Sequence, residues 1–186
     1  MRLEPTTALI VIDVQEGFAD PRWGPGNNPA CEANIGALLH AWTAAGRPVV
    51  LVRHDDLGEG SPLHPLAAGN ALKPLVADTP HDLVVSKDVN SAFYGRPDLH
   101  AWLQERGIRQ LVLCGIQTNM CVETTARMAG NLGYDVIVPL DATRTFDLSG
   151  PLGETLTADE LARATAVNLH GGEFARVVTT KDVLGA

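Results

Sequence analysis

The chain is predicted to fold as one α/β domain of three layers, α/β/α, with helices on both faces of a mostly parallel sheet. Two observations carry this. Apolar runs of strand length alternate with longer stretches of helical period, the pattern of β-α-β units. The runs are rich in Val, Ile and Leu and do not alternate with polar residues, as expected of strands covered on both faces. A length of 186 residues suits one hydrophobic core. No repeat, low-complexity tract or linker marks a boundary, so a single domain over 1–186 is expected.

Six strands are expected, at Ala8–Asp13, Pro48–Arg53, Leu83–Lys87, Gln110–Gly115, Tyr134–Pro139 and Phe174–Thr179. Between the first two, Asn28-Pro29 reads as a cap and an N1 proline ahead of a helix ending near Gly46. Pro97 opens a helix that stops near Gly107, and residues Asn119 to Asn131 form one after strand four. Thr157-Ala-Asp-Glu160 is a capping-box pattern for a helix running toward His170, ended by Gly171-Gly172. Val14–Asn27 and His54–Pro80 remain as long loops rich in Gly and Pro. Loops of that length in a compact domain are more often functional than idle.

Composition narrows the partners. The chain is 45% hydrophobic and 19% charged with a formal net charge of −8, and no Lys/Arg cluster is present to track phosphates, so nucleic acid is not an expected partner. Nor is a membrane, since no apolar run approaches spanning length. Met1-Arg2-Leu3-Glu4-Pro5 lacks the basic start and long apolar region of a signal peptide. Cys31, Cys114 and Cys121 make an odd count without metal-type spacing, which suits neither a disulfide framework nor a zinc site. A reducing, cytoplasmic location is expected.

In open parallel sheets ligands bind beyond the carboxyl ends of the strands. Asp13 closes the first apolar run, Lys87 closes the third, and Cys121 lies just past the fourth near a helix start. Singly, such residues are usually a turn residue, a solvated charge and a small hydrophobe. Jointly they form a nucleophile set. The helix dipole and Lys87 would lower the Cys121 pKa and favour the thiolate, with Asp13 as general base and acid.

The segments Ala-Leu-Ile-Val-Ile-Asp13-Val-Gln15, Lys87-Asp-Val-Asn-Ser-Ala-Phe93 and Gly115-Ile-Gln-Thr-Asn-Met-Cys121-Val closely resemble the isochorismatase-like cysteine hydrolases, in order and over nearly the whole chain. The resemblance implies a Rossmann-like sheet of order 3-2-1-4-5-6 and Asp13, Lys87 and Cys121 as the catalytic triad. It implies a cis bond between Ile116 and Gln117, with the backbone N–H groups of Gln117 and Cys121 forming an oxyanion hole. Homodimers or homotetramers are implied as well. Members that open the vinyl ether of isochorismate lack the cysteine, so Cys121 favours the amidase branch, resembling nicotinamidase and N-carbamoylsarcosine amidase, and a small-molecule substrate. Nicotinamidase members hold a metal with an Asp and two His after strand two. Arg53-His54-Asp55-Asp56 and His64 depart from that spacing, so no metal and no other cofactor is expected. His54 and His64 are candidate substrate contacts, as are Gln15 and Thr118 within the quoted segments. Phe18, Trp23, Leu63, Phe93, Tyr94 and Phe146 border the loops and strand ends and are candidates to line an apolar pocket.

Overall fold

A computed structural model describes residues 2–185. Its main sheet comprises β1 (Ala8–Ile12), β2 (Val49–His54), β3 (Leu83–Lys87), β4 (Gln110–Ile116), β5 (Asp135–Pro139) and β6 (Arg176–Val178). The order is β3-β2-β1-β4-β5-β6, and every pairing is parallel. The expected architecture and order are therefore present. Two pieces were not expected: Thr143–Arg144 pairs in parallel with the end of β4, and Leu148–Ser149 forms a small antiparallel ladder with Thr155–Leu156. Two-residue strands are too short to leave a periodic signal.

The helices are α1 (Cys31–Ala44), α2 (Pro74–Ala77), α3 (Leu99–Glu105), α4 (Glu123–Asn131), α5 (Ala158–Gly171) and α6 (Thr180–Leu184). Successive β1 side chains point to opposite faces. Ile10 and Ile12 join Leu103 of α3, Ala126 of α4 and Leu169 of α5, while Leu9 and Val11 meet Ile35 and Leu38 of α1 and Val183 of α6. Both faces are covered, which is why β1 is one unbroken apolar run. Each fully buried aliphatic side chain contributes about 1.5–3 kcal/mol.

Local capping corrects two expectations. Asn28 does not cap α1: Ala30 precedes the helix with no side-chain cap, and Asn28, at φ +47°, donates its amide to Leu140 O (3.0 Å) and Thr143 O (2.7 Å). It ties the first long loop to the Thr143–Arg144 strand instead. Pro97 does not open α3. It lies in a cis peptide with Arg96, and Asp98 caps the helix by accepting from the Ala101 N–H (3.0 Å). The Thr157–Glu160 capping box is present as expected.

Because the strands run parallel, their carboxyl ends share one edge. There β1 and β4 approach closely: a Cβ on Gly115 would run into Ile12 O, and Gly115 has φ +127°. Only glycine fits that position. The close pairing sets Asp13, one residue beyond β1, beside the turn that leaves β4 and holds Cys121.

Candidate active site

Three strand ends deliver the predicted triad to one buried point. Lys87 Nζ donates to Asp13 Oδ2 at 2.6 Å and reaches Cys121 Sγ at 3.3 Å. The Asp13 and Lys87 side chains are fully buried, and Cys121 is 7% exposed. Ligand atoms of Asp13, His54 and Cys121 lie within 4.8 Å of one another, inside the range for proton transfer directly or through one water. The Ile116–Gln117 peptide is cis. Gln117 then leads, in extended backbone, into a π turn over Thr118–Val122 that carries Cys121 into α4.

A third acceptor completes the ammonium. Lys87 Nζ lies 2.9 Å from His54 Nδ1. Lysine offers donors only, so His54 Nδ1 accepts and the neutral ring carries its proton on Nε2. All three Lys87 N–H groups are thus committed, to Asp13, His54 and Cys121. The His54 pKa is correspondingly lowered, by burial first and the Lys87 charge second.

The thiol does not titrate as expected from the helix dipole and lysine. Burial, followed by the charge of Asp13, pushes the Cys121 pKa well up, and Lys87 only partly offsets this. Burial likewise raises Asp13 against the lowering effect of Lys87. The sequence places a lysine beside a cysteine but does not show that both are dry. Asp13 Oδ1 is buried with no hydrogen-bond partner among the described residues.

Other predicted site residues divide by location. Phe18, Trp23 and Leu63 pack with Ile116 and Phe146, with ring centroids 5.3 Å apart for Phe18–Trp23 and 5.7 Å for Trp23–Phe146. This apolar group sits against the cis peptide. Gln15 is fully buried, and its amide braces backbone: Nε2 donates to His54 O and Asn70 O while Oε1 accepts from His54 N. Thr118 is buried and donates to Thr143 Oγ1 (2.8 Å). His64 Nδ1 accepts from Leu66 N within its loop. Phe93 stacks on Tyr134 and meets the edge of His100 on the α3–α4 side. Tyr94, 70% exposed, borders a cavity of about 410 Å³ lined also by Asp55, Leu57, Lys87 and Arg96.

Several residues that hold the site and its flanking loops were not anticipated. Asn70 donates to Leu63 O (2.7 Å), His54 O and Asp55 Oδ1, holding the second long loop to β2. Glu32 of α1 binds both Lys73 Nζ (2.7 Å) and Arg144 Nη1 (2.9 Å), and Arg144 also donates to Asn27 O. Asn90 Oδ1 lies 3.7 Å from Cys121 Sγ. Its place in the Lys87–Phe93 segment was the one signal that pointed to it.

Fold and site together are those of a hydrolase built on a three-layer α/β/α sheet. The chain belongs to the isochorismatase family, whose Isochorismatase domain matches residues 7–182. It is 35% identical to the isochorismatase family protein YrdC of Bacillus subtilis, over 98% of this chain and 96% of that one. A crystal structure of an isochorismatase-family protein from Chromobacterium violaceum superposes with a TM-score of 0.93 at 39% identity, covering 100% of this chain and 96% of that chain. Ureidoacrylate amidohydrolase RutB of Methylobacterium radiotolerans is 33% identical over 90% of this chain and 75% of its own length.

Proposed function

We propose that the chain hydrolyses a C–N bond of a small amide or ureido compound through a thioester on Cys121. The observation that carries this is the buried trio of Asp13, Lys87 and Cys121. With Asp13 ionised, Lys87 protonated and the thiol neutral, the site bears no net charge. Moving the thiol proton to Asp13 gives thiolate, carboxylic acid and ammonium, again with no net charge. Activation is then an internal transfer that creates no uncompensated buried charge. Oδ1 is the free acceptor, since Oδ2 already binds Lys87.

The thiolate attacks the substrate carbonyl, and its electrons move to an oxygen held by the Gln117 and Cys121 backbone N–H groups. Such donors contribute about 10²–10³-fold each in rate. As the tetrahedral intermediate collapses, the C–N bond breaks and Asp13 gives its proton to the departing nitrogen. Water, deprotonated by Asp13, then attacks the thioester and frees Cys121 and a carboxylic acid. Lys87 stays charged throughout, and His54 offers Nε2–H to the substrate. Phe18, Trp23 and Leu63 form the apolar wall. The name of RutB supports the ureido class.

Association through the mouth of the site is part of the same reading. Leu57 (67% exposed) and Tyr94 (70%) line the cavity beside Lys87, and a second copy covering them accounts for their exposure. Sedimentation would give a dimer or tetramer; a species of about 20 kDa alone, from a chain of 19.8 kDa, would contradict it. Three unpaired cysteines support a cytoplasmic setting, and among the described residues no helix is long and apolar enough to cross a membrane.

The test is ammonia release across nicotinamide, pyrazinamide, N-carbamoyl amino acids, biuret and simple amides. Turnover of at least one, abolished in folded Cys121→Ser, is expected. No turnover of any, or turnover that survives the substitution, would overturn the proposal.

A further inference from the structure

We propose that Asn90 recognises the departing nitrogen, so that the site selects substrates whose leaving group carries N–H, primary amides and terminal ureido groups, over esters. This rests on the reading that Cys121 attacks a carbonyl bonded to nitrogen.

Few polar groups at the sulfur are still free. Lys87 has spent its three donors, on Asp13, His54 and Sγ itself. Asp13 is buried, its Oδ2 is taken by Lys87, and its Oδ1 is committed to carrying the proton between thiol and leaving group. Asn90 differs on both counts. It is exposed, and among the described residues its carboxamide has one hydrogen-bond partner, Cys121 Sγ at 3.7 Å. An amide offers four hydrogen-bonding positions, two of them on the oxygen. The remaining positions are unpaired among the described residues, on an exposed side chain that reaches the sulfur.

The backbone around Asn90 is fixed relative to the nucleophile. Ser91 is buried, and its Oγ accepts from Phe93 N (3.3 Å); Ala92 N donates to Thr125 Oγ1 (3.1 Å). Thr125 belongs to α4, the helix that continues directly from the turn bearing Cys121. The loop at Ala92 and the thiol are therefore both tied to α4, which sets Asn90 relative to Cys121.

Attack brings the substrate carbonyl carbon to about 3–3.5 Å from sulfur before the bond forms. The carbon's other substituents then lie near a group 3.7 Å from that sulfur. With the carbonyl oxygen directed to the backbone donors, the nitrogen is the remaining substituent that can hydrogen-bond, and Asn90 accepts from one of its N–H groups while Asp13 delivers the proton with which it leaves. A carboxamide oxygen accepts from –NH₂ as the nitrogen is held and then leaves. An alkoxy oxygen has no proton to give, and would set two acceptors against each other. A site built to bind N–H rejects analogues that lack it.

The experiment measures kcat/KM for the best amide or ureido compound of the panel and for the methyl ester of the same acyl group, in wild type and Asn90→Ala. Loss of one neutral hydrogen bond predicts an amide-to-ester ratio lower by about tenfold in the variant. A ratio unchanged, whether both rates fall together or neither does, would overturn the assignment, since a purely structural role moves both alike. A second comparison needs no turnover: the Cys121 labelling rate with iodoacetamide against that with methyl iodoacetate. Asn90→Ala should reduce the preference for the amide reagent, and an unchanged preference counts against Asn90. If wild type releases ammonia from nothing, the functional reading fails and the labelling ratio still decides Asn90.

Discussion

Replacing Lys87 by Met keeps most of the length of the side chain and removes its charge. Asp13 and Lys87 meet at 2.6 Å with both side chains fully buried, so the substitution leaves a carboxylate in a dry site without its counter-ion. Breaking such a pair by removing one partner costs about 3–5 kcal/mol, a large share of the roughly 5–15 kcal/mol that holds a domain together. The cost must depend on pH. Burial already raises the Asp13 pKa against the lowering effect of Lys87, and without Lys87 it rises further. An acid whose folded pKa is raised keeps its stability at low pH, where it is protonated in both states, and loses it as pH rises through the folded value. The Lys87→Met variant should therefore lose less stability at pH 5 than at pH 8. Urea denaturation at the two pH values measures this, and Asp13→Asn combined with Lys87→Met should recover most of the loss while remaining inactive. A loss equal at both pH values, and not relieved by the second substitution, would refute the idea that an orphaned buried charge is responsible.

Three further outcomes are expected. Iodoacetamide should label Cys121, which is 7% exposed and has Asp13 beside it to take its proton, ahead of Cys31 and Cys114, both fully buried; its rate should fall on acidification at a pH above the ordinary carboxylate range, where Asp13 takes up its proton, and mass-spectrometric mapping that finds all three labelled equally would contradict this. Gly115→Ala should destabilise the fold by at least about 1–3 kcal/mol, the cost of a forbidden backbone conformation, before the Ile12 O clash is added; a loss under about 0.5 kcal/mol in urea would disprove the close approach of β1 and β4. Because the folded pKa of His54 is lowered, its contribution to stability is present above the unfolded value of about 6.5 and is lost as pH falls below it. His54→Gln should then flatten the decline in stability between pH 7 and pH 5, and a slope identical to wild type would show that His54 is not held neutral.

The main strands were readable because burial on both faces leaves unbroken apolar runs, as in Leu9–Ile12 and Leu111–Cys114, and the meeting of Asp13, Lys87 and Cys121 was readable because strand ends share one edge in a parallel sheet and the three segments resemble one family in order. The unreadable parts depend on contacts made far along the chain. Asn28 looks like a helix cap until the Thr143–Arg144 strand arrives to take its amide. Gln15 looks like a substrate contact, yet its amide is spent on the backbone of His54 and Asn70. Phe93 lies six residues beyond Lys87 but turns toward Tyr134 and His100. The direction of the Cys121 shift was the largest miss, since charge neighbours can be guessed from spacing whereas desolvation emerges only from the packed fold.

The central claim is that Cys121 carries the acyl group. Wild-type enzyme mixed with its best amide and quenched in acid within the first turnovers tests it by mass spectrometry of the digested chain. The peptide containing Cys121 should gain the mass of the substrate less ammonia or amine, and Cys121→Ala should show neither adduct nor turnover. Turnover without any adduct on that peptide, persisting in Cys121→Ala, would contradict it.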